Sequence, residues 1–419
     1  MEGYKEVRKI ASLAKEASVK LRDVSADQKD KILNKMATFL IKNEEEIIKA
    51  NRKDIRKARR HNKSPSFIDR LTLNHQRIEK MAACLREISQ LQNPIGEIIS
   101  TYLRPNGLRI IKTRVPIGVI GVIYESRPNV TSDCIGLCLK TQNALILRGG
   151  SFAYFSNLAI FKILNDVAIN SGIPEGAINM IKTTDRKAIK ILLKQDRFID
   201  LIIPRGGESL IKEVTRNSSI PVIKHYKGLC HIYVDEFADL NMAHNIVLNA
   251  KVQRPSVCNA VETLLVHKDI AVRFLPLLIK ALKRENVEVR GCRMTQKIVK
   301  EIKRANKKDW QTEYLDKIIS IKVVGDEYEA IGHINRYSSG LSEVIVTDNL
   351  QNAKLFLEKV DSAVVYLNAS SRFTDGNQFG LGAEIGISTD KIHARGPMSV
   401  NELTTYKYIV IGEGQIRTS

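Results

Sequence analysis

A chain of 419 residues and 47.2 kDa, 43% hydrophobic, is long enough for two or three domains with sizeable cores. No run approaches the roughly eighteen consecutive apolar residues of a membrane-spanning helix, and the amino-terminal MEGYKEVRKIASLAKEA reads as an amphipathic helix rather than a signal peptide, so a cytoplasmic protein is expected. Lys plus Arg exceed Asp plus Glu by 66 to 46, a formal charge of +20. The excess is spread along polar helix faces such as Arg52–Lys63 and Lys297–Lys308, with no RNP-type aromatics, finger spacing or basic arm, which argues for a solvated surface and against a nucleic-acid or membrane partner.

The first hundred residues have helical periodicity, with a capping-box start at Ser25–Gln28 and apolar Ile32, Leu33, Met36, Leu40 and Ile47 on one face. ISTYLRPNGLRIIKTRVP then alternates around Asn106-Gly107, a dipeptide that predicts a hairpin with a type I′ turn. From Pro116 to about Val234, strands PIGVIGVIYE, ALILR (144–148), DLIIP (200–204) and HIYVD (231–235) alternate with helical stretches, as a doubly wound parallel sheet requires. Between about Leu240 and Asn368 a second series follows, with ETLLVH, IISIKVV, SEVIVT and AVVYLN as strands, so two α/β units in series are expected.

Two strand ends share a pattern: Arg148-Gly149-Gly150-Ser151 after ALILR, and Arg205-Gly206-Gly207-Glu208 after DLIIP, each leading into a helix. Glycines there let backbone N–H groups approach a phosphate at a helix amino end, and arginine adds a forked donor. GLGAEIG (380–386) has the spacing GxGxxxG without a strand leading directly into it, and is read as a glycine-rich loop.

Six scattered cysteines support neither a disulfide framework nor a metal site. The one in a chemically informative setting is Cys258, in KVQRPSVCNAVETLLVH, where it is predicted to open a short helix before the strand ETLLVH. A thiol at a helix amino end gains thiolate character.

Taken together, QRPSVCNAVETLLVH, GVIYESRPNVTSD (121–133), GLCHIYVD (228–235), TEYLD (312–316), NASSRFTDGNQFGLGAEIGISTDKIHARGP (368–397) and ELTTYKY (402–408) resemble the gamma-glutamyl phosphate reductase family, also called glutamate-5-semialdehyde dehydrogenases, of the aldehyde dehydrogenase superfamily. The resemblance implies an α/β, aldehyde dehydrogenase-like fold of two doubly wound parallel-sheet domains plus an oligomerisation hairpin. The corresponding division is 1–97 and 117–234 for the NADPH-binding domain, 98–116 and 400–414 for the hairpin and its strand, and 235–399 for the catalytic domain.

It also implies NADPH-dependent reduction of L-glutamate 5-phosphate to L-glutamate 5-semialdehyde, the second step of proline synthesis from glutamate, through a thioester on Cys258. By resemblance Asn129 and the Cys258 backbone N–H are oxyanion donors, Glu313 contacts the nicotinamide ribose, and Arg148 lies where a relative's lysine approaches the adenine ribose and can read a 2′-phosphate. Arg127 and Arg254 are candidates for the substrate α-carboxylate, and His225 for substrate contact or proton transfer. Where hydrolytic relatives carry a water-activating glutamate, the chain has His225-Tyr226-Lys227-Gly228, without a carboxylate. This disfavours the alternative of an oxidising, hydrolytic aldehyde dehydrogenase.

A homo-oligomer, transient contact with glutamate 5-kinase and no metal complete the expectations. A basic nucleic-acid-binding protein on a retired enzyme fold is the reading from another class, and it gives no reason to keep QRPSVCNA. The chain departs from the family at Tyr337-Ser338-Ser339-Gly340-Leu341-Ser342, where Tyr-Gly-Ser-x-His-Ser is usual, so a glycine and a histidine are replaced.

Overall fold

The computed structural model describes residues 2–224 and 227–417, which form two compact units. One comprises Met1–Lys224, Gly380–Gly386 and Met398–Ser419; the other comprises His225–Phe379 and Ile387–Pro397.

In the first unit, helices Glu2–Lys20, Ala26–Lys42, Glu44–Arg60, Pro65–Leu71 and His75–Gln90 precede the first strand. Ser25 Oγ accepts the Gln28 N–H at 3.2 Å, capping the second helix, whose stripe Ile32, Leu33, Met36 and Leu40 is fully buried. Two lysines lie within this packing. Lys140 donates to Asp30 at 2.6 Å and to the Ser89 carbonyl at 2.9 Å, while Lys29 donates to the Lys140 carbonyl at 2.8 Å. Burial, reinforced by the Lys140 charge, lowers the Lys29 ammonium to about 8.

Four parallel strands follow in the order Ile178–Met180, Ala144–Gly149, Val119–Tyr124, Leu201–Arg205. The chain steps outward from Val119–Tyr124 in one direction and then returns to its other side. In open parallel sheets such a reversal parts the connecting loops and leaves a crevice at the carboxyl ends of the strands. Glu125 follows one of the two strands at the reversal, and Gly206-Gly207 follow the other.

The hairpin pairs Ile98–Leu103 with Arg109–Pro116, and Thr404–Ile411 adds antiparallel to the latter. Its turn is not type I′. Gly107 N–H donates to the Arg104 carbonyl at 2.9 Å, Arg104 N–H donates to Leu108 O at 2.9 Å, and only Gly107, at φ 87°, takes positive φ. Pro105 fixes its φ in the range of the first central position of a type I turn, so the left-handed residue moves to the third loop position.

In the second unit all seven strands run parallel, in the order Lys303–Arg304, Glu288–Gly291, Ile318–Val324, Val261–His267, Cys230–Val234, Ser342–Val346, Val364–Leu367. Cys230–Val234 therefore pairs between Val261–His267 and Ser342–Val346, not with the first sheet as the sequence reading assigned it, and the units part at Lys224 rather than at 234. A fully buried strand has the same local pattern in either sheet, because both faces are covered; only non-local pairing gives its address. The segment 380–386, placed with the catalytic domain by sequence, belongs to the first unit.

The helix Tyr154–Ile169, which follows Arg148–Ser151, is capped from far away in sequence. The buried Asp54 carboxylate accepts from Phe155 N at 3.2 Å, Ser156 N at 2.8 Å and Ser156 Oγ at 2.7 Å. Asp54→Ala leaves these donors unpaired, and we expect it to cost about 2 kcal/mol, read as a lowered urea midpoint at an unchanged slope.

Candidate active site

Helix Leu240–Val252 and strand Val261–His267 are joined by a loop that carries Cys258. No helix begins at Cys258; the residue lies in consecutive turns. Asn259 is held by tertiary bonds instead: its side-chain Nδ2 donates to the Thr374 carbonyl at 2.8 Å, and its backbone carbonyl, which a helix would need, accepts from Ser371 Oγ at 2.7 Å. Thiolate stabilisation by a helix dipole, expected from sequence, is thus not how this fold treats Cys258.

The loop is fixed at its base. Lys251 and Glu262 are both fully buried and meet at 2.7 Å, and Lys251 also donates to the Val261 carbonyl at 2.9 Å. Burial lowers the Lys251 ammonium and raises the Glu262 carboxyl to about 7, each opposed by its partner. The second Glu262 oxygen accepts the Leu315 N–H at 3.1 Å, which ties the 312–316 turn to the nucleophile loop. From that turn Glu313 Oε1 accepts the Gly228 N–H at 2.8 Å. Glu313, assigned by resemblance to the nicotinamide ribose, here holds backbone beside Cys258.

Gly228 approaches Cys258 so closely that a Cβ would stand 2.0 Å from the Cys258 carbonyl oxygen and 2.4 Å from its Cα. Cys230 Sγ donates to the same carbonyl at 3.3 Å. The half-buried Cys258 packs with Cys230, Leu341 and Ile387. Leu341, standing where the family has a histidine, is fully buried in that cluster, so the replacement presents an apolar wall. Ser338, standing for the family's glycine, accepts the Gly340 N–H at 2.8 Å and donates to Glu343. Ser339 Oγ accepts the Leu229 N–H at 2.9 Å, adding a second tether to the strand beside Cys258.

Arg254, a predicted carboxylate clamp, is exposed on the nucleophile loop. Beside it is Arg372, which the sequence reading did not single out: its Nε donates to Gln253 at 2.9 Å, and burial together with the Arg254 charge lowers its pKa. Only its place inside the quoted segment NASSRFTDG pointed to it. His225 lies outside the described residues.

In the first unit, Asn129 opens helix Asn129–Lys140 and donates through Nδ2 to Asp133 Oδ2 at 2.8 Å, and Arg127 is exposed two residues earlier. Arg148 is not presented to a ligand as expected. It is 7% exposed, and its Nη2 donates to the carbonyls of Thr184 at 2.8 Å and Asp185 at 3.4 Å. Gly149 is required by packing, since a Cβ would lie 2.2 Å from Asn157 Nδ2. The Ser151 carbonyl accepts from Lys57 at 2.9 Å, and the helix end beyond it is filled by Asp54, so the first Arg-Gly-Gly turn offers no free helix terminus for phosphate.

At the second such turn Gly207 N–H donates to Glu125 Oε2 at 3.0 Å, and the Arg205 Nε, like the Arg148 Nε, is buried without a hydrogen-bond partner. This turn borders the crevice at the strand reversal, so Arg205, Gly206 and Gly207 fit a nucleotide better than Arg148–Ser151 do. Among the described residues, one group of potential metal ligands, Glu236, His267 and Asp269, comes together, and it includes none of the candidate site residues.

The sequence and the fold have counterparts among known proteins. Residues 2–296 and 283–408 match the aldehyde dehydrogenase family, and the chain belongs to that family. Within it, proteins named gamma-glutamyl phosphate reductase are similar over nearly the whole length. The one from Caldanaerobacter subterraneus subsp. tengcongensis is 57% identical over 98% of this chain and 100% of its own, and the one from Clostridium novyi is 53% identical over 100% of both. The crystal structure of the Thermotoga maritima gamma-glutamyl phosphate reductase superposes with a TM-score of 0.95 at 48% identity, covering 98% of this chain and 100% of that one. An acetylating aldehyde dehydrogenase from Geobacillus thermoglucosidasius shares the fold at 16% identity and a TM-score of 0.71.

Because nothing larger than hydrogen fits at position 228, Gly228→Ala must displace the nucleophile loop. We expect kcat to fall about 100-fold and the alkylation rate of Cys258 by iodoacetamide to change while the far-ultraviolet spectrum is retained.

Proposed function

We propose that the chain is an NADPH-dependent reductase of L-glutamate 5-phosphate, yielding L-glutamate 5-semialdehyde and phosphate in proline synthesis from glutamate. The observation that carries the proposal is the tethered Cys258 loop, together with the sequence His225-Tyr226-Lys227-Gly228, which has no carboxylate where hydrolytic relatives carry a water-activating glutamate. The Cys258 thiolate attacks the acyl carbonyl and phosphate leaves, giving a thioester on sulfur. A nicotinamide cofactor held at Arg205, Gly206 and Gly207 would supply the hydride for that thioester carbonyl. The resulting hemithioacetal on Cys258 collapses, its C–S bond breaking to release the aldehyde and return the thiolate. A thioester must outlast its encounter with water for this order to hold, which the missing base favours.

Each tetrahedral stage places negative charge on the former carbonyl oxygen. Asn129 and the Cys258 backbone N–H are the assigned donors, and a donor of this kind is worth about 3 kcal/mol. Arg205, Gly206 and Gly207 are assigned to the cofactor, with Gly149, Gly150 and Ser151 as further candidates, while Glu313 acts on the nicotinamide side or through Gly228. NADPH in preference to NADH rests on the resemblance, since the Arg148 guanidinium is committed to Thr184 and Asp185. Arg254 and Arg372 are assigned to the anionic ends of the substrate, with Arg127 and His225 as further candidates.

The exposed sheet face shared by Tyr102, Tyr406, Tyr408 and Val410 supports a homo-oligomer built on the hairpin. Among the described residues no helix is long and apolar enough to cross a membrane; a cytoplasmic location and delivery of the acyl phosphate by glutamate 5-kinase are part of the proposal.

The reverse reaction is the practical test. With glutamate 5-semialdehyde, phosphate and NADP, the wild type should turn over continuously only when phosphate is present, and Cys258→Ala should lose at least about 1,000-fold in rate. Reduction without phosphate that continues beyond one NADP per site indicates a hydrolytic aldehyde dehydrogenase instead.

A further inference from the structure

An asparagine that serves as an oxyanion donor has a problem of orientation. The two ends of its amide have nearly the same shape, and a half-turn of the terminal torsion, which is broad and soft, would aim the oxygen rather than the nitrogen at the developing charge. Asn129 is exposed, so packing alone does not decide between the two orientations. One neighbour does. Asp133, one helical turn on, takes the Asn129 Nδ2 at 2.8 Å on its Oδ2, and an ionised carboxylate only accepts, so the nitrogen must face it.

That carboxylate is itself held in place. Cys84 Sγ, from helix His75–Gln90, donates to the other oxygen at 3.5 Å, and Ser132 Oγ lies 3.3 Å from it while giving its hydrogen to the Asn129 carbonyl at 2.8 Å. We infer that Asp133 is a positioning residue for the proposed reaction: it locks the Asn129 amide with its nitrogen turned inward and leaves the second N–H for the oxyanion. The inference rests on the assignment of Asn129 as an oxyanion donor.

The competing explanation is an ordinary side-chain bond across the first turn of a helix. It predicts a small effect on stability and none on turnover. The surroundings of Asp133 separate the two. Burial raises its carboxyl to about 6, offset by the amide of Asn129, the thiol of Cys84 and the charge of Arg205 on strand Leu201–Arg205; Glu87, on the helix that carries Cys84, acts on the same thiol. Below about 6 the carboxyl holds a proton, loses its charge and gains a donor, so its grip on Asn129 weakens as the pH falls.

The test is steady-state kinetics of phosphate-dependent NADP reduction, at saturating substrates across pH 5 to 8, for Asn129→Ala, Asp133→Ala, Asp133→Asn and the double alanine variant. Asp133→Ala should lose about 10- to 100-fold in kcat with KM for NADP within about threefold of wild type. The double variant should be no worse than Asn129→Ala. Asp133→Asn keeps the shape but, like the protonated carboxyl, is neutral and carries donors; it should stay impaired across the range and show no further fall in kcat on the acid side of about 6. Wild-type kcat in Asp133→Ala beside an impaired Asn129→Ala, losses that multiply in the double variant, or an unchanged acid limb in Asp133→Asn each overturn the inference. Wild-type kcat in Asn129→Ala overturns the oxyanion assignment beneath it.

Discussion

The arrangement around Cys258 depends on one buried ion pair. Lys251 ends the helix before the nucleophile loop, Glu262 lies on the strand after it, and their contact of 2.7 Å closes the loop at its base. Two charges taken out of water cost several kcal/mol each, and an apolar pair would often serve stability as well or better. What an apolar pair cannot do is spend its remaining atoms on neighbouring backbone. Lys251 holds the Val261 carbonyl, and Glu262 holds the Leu315 N–H. Through Leu315 the pair fixes the turn from which Glu313 reaches Gly228, and Gly228 lies directly against Cys258. The buried charges thus serve geometry: they set where the thiol stands relative to the strand Cys230–Val234.

The same logic runs through the first unit with different groups. Carboxylates, rather than ligands, meet the amino ends of two helices: Asp54 at Tyr154–Ile169, and Glu125 at Gly207, just before Glu208–Asn217. At the first, the buried Asp54 takes two backbone N–H groups and the Ser156 hydroxyl. At the second, the exposed Glu125 takes one N–H, and the turn lies at the strand reversal. Of two motifs with the same four-residue pattern, the first is committed to structure and the second is the better candidate for a cofactor.

Much of the fold was legible because its strands are short apolar runs between turn signals, and every one of the eight named from sequence forms. Their partners were not legible. Cys230–Val234 has the local character of its neighbours in chain order yet pairs in the other sheet, since hydrogen-bonding address is set by contacts distant in sequence. The hairpin was visible in its alternation, whereas the turn type depended on Pro105 preceding Asn106-Gly107. Cys258 stood out by the segment around it, but its conformation did not, because Ser371 and Thr374, more than a hundred residues on, take up the bonds of Asn259. Asp54 capping a helix 102 residues away and Arg372 beside Arg254 are of the same kind. Pairings across such distances leave no periodicity for a reader of sequence to find.

The account turns on a covalent intermediate at Cys258. Mixing the enzyme with glutamate 5-semialdehyde and NADP, without phosphate, should strand the oxidised acyl group as a thioester that intact-mass and peptide mass spectrometry can locate. The account predicts one added glutamyl group on the peptide containing Cys258, discharged when phosphate is added. An adduct on another cysteine, or turnover with no adduct and no dependence on Cys258, would contradict it.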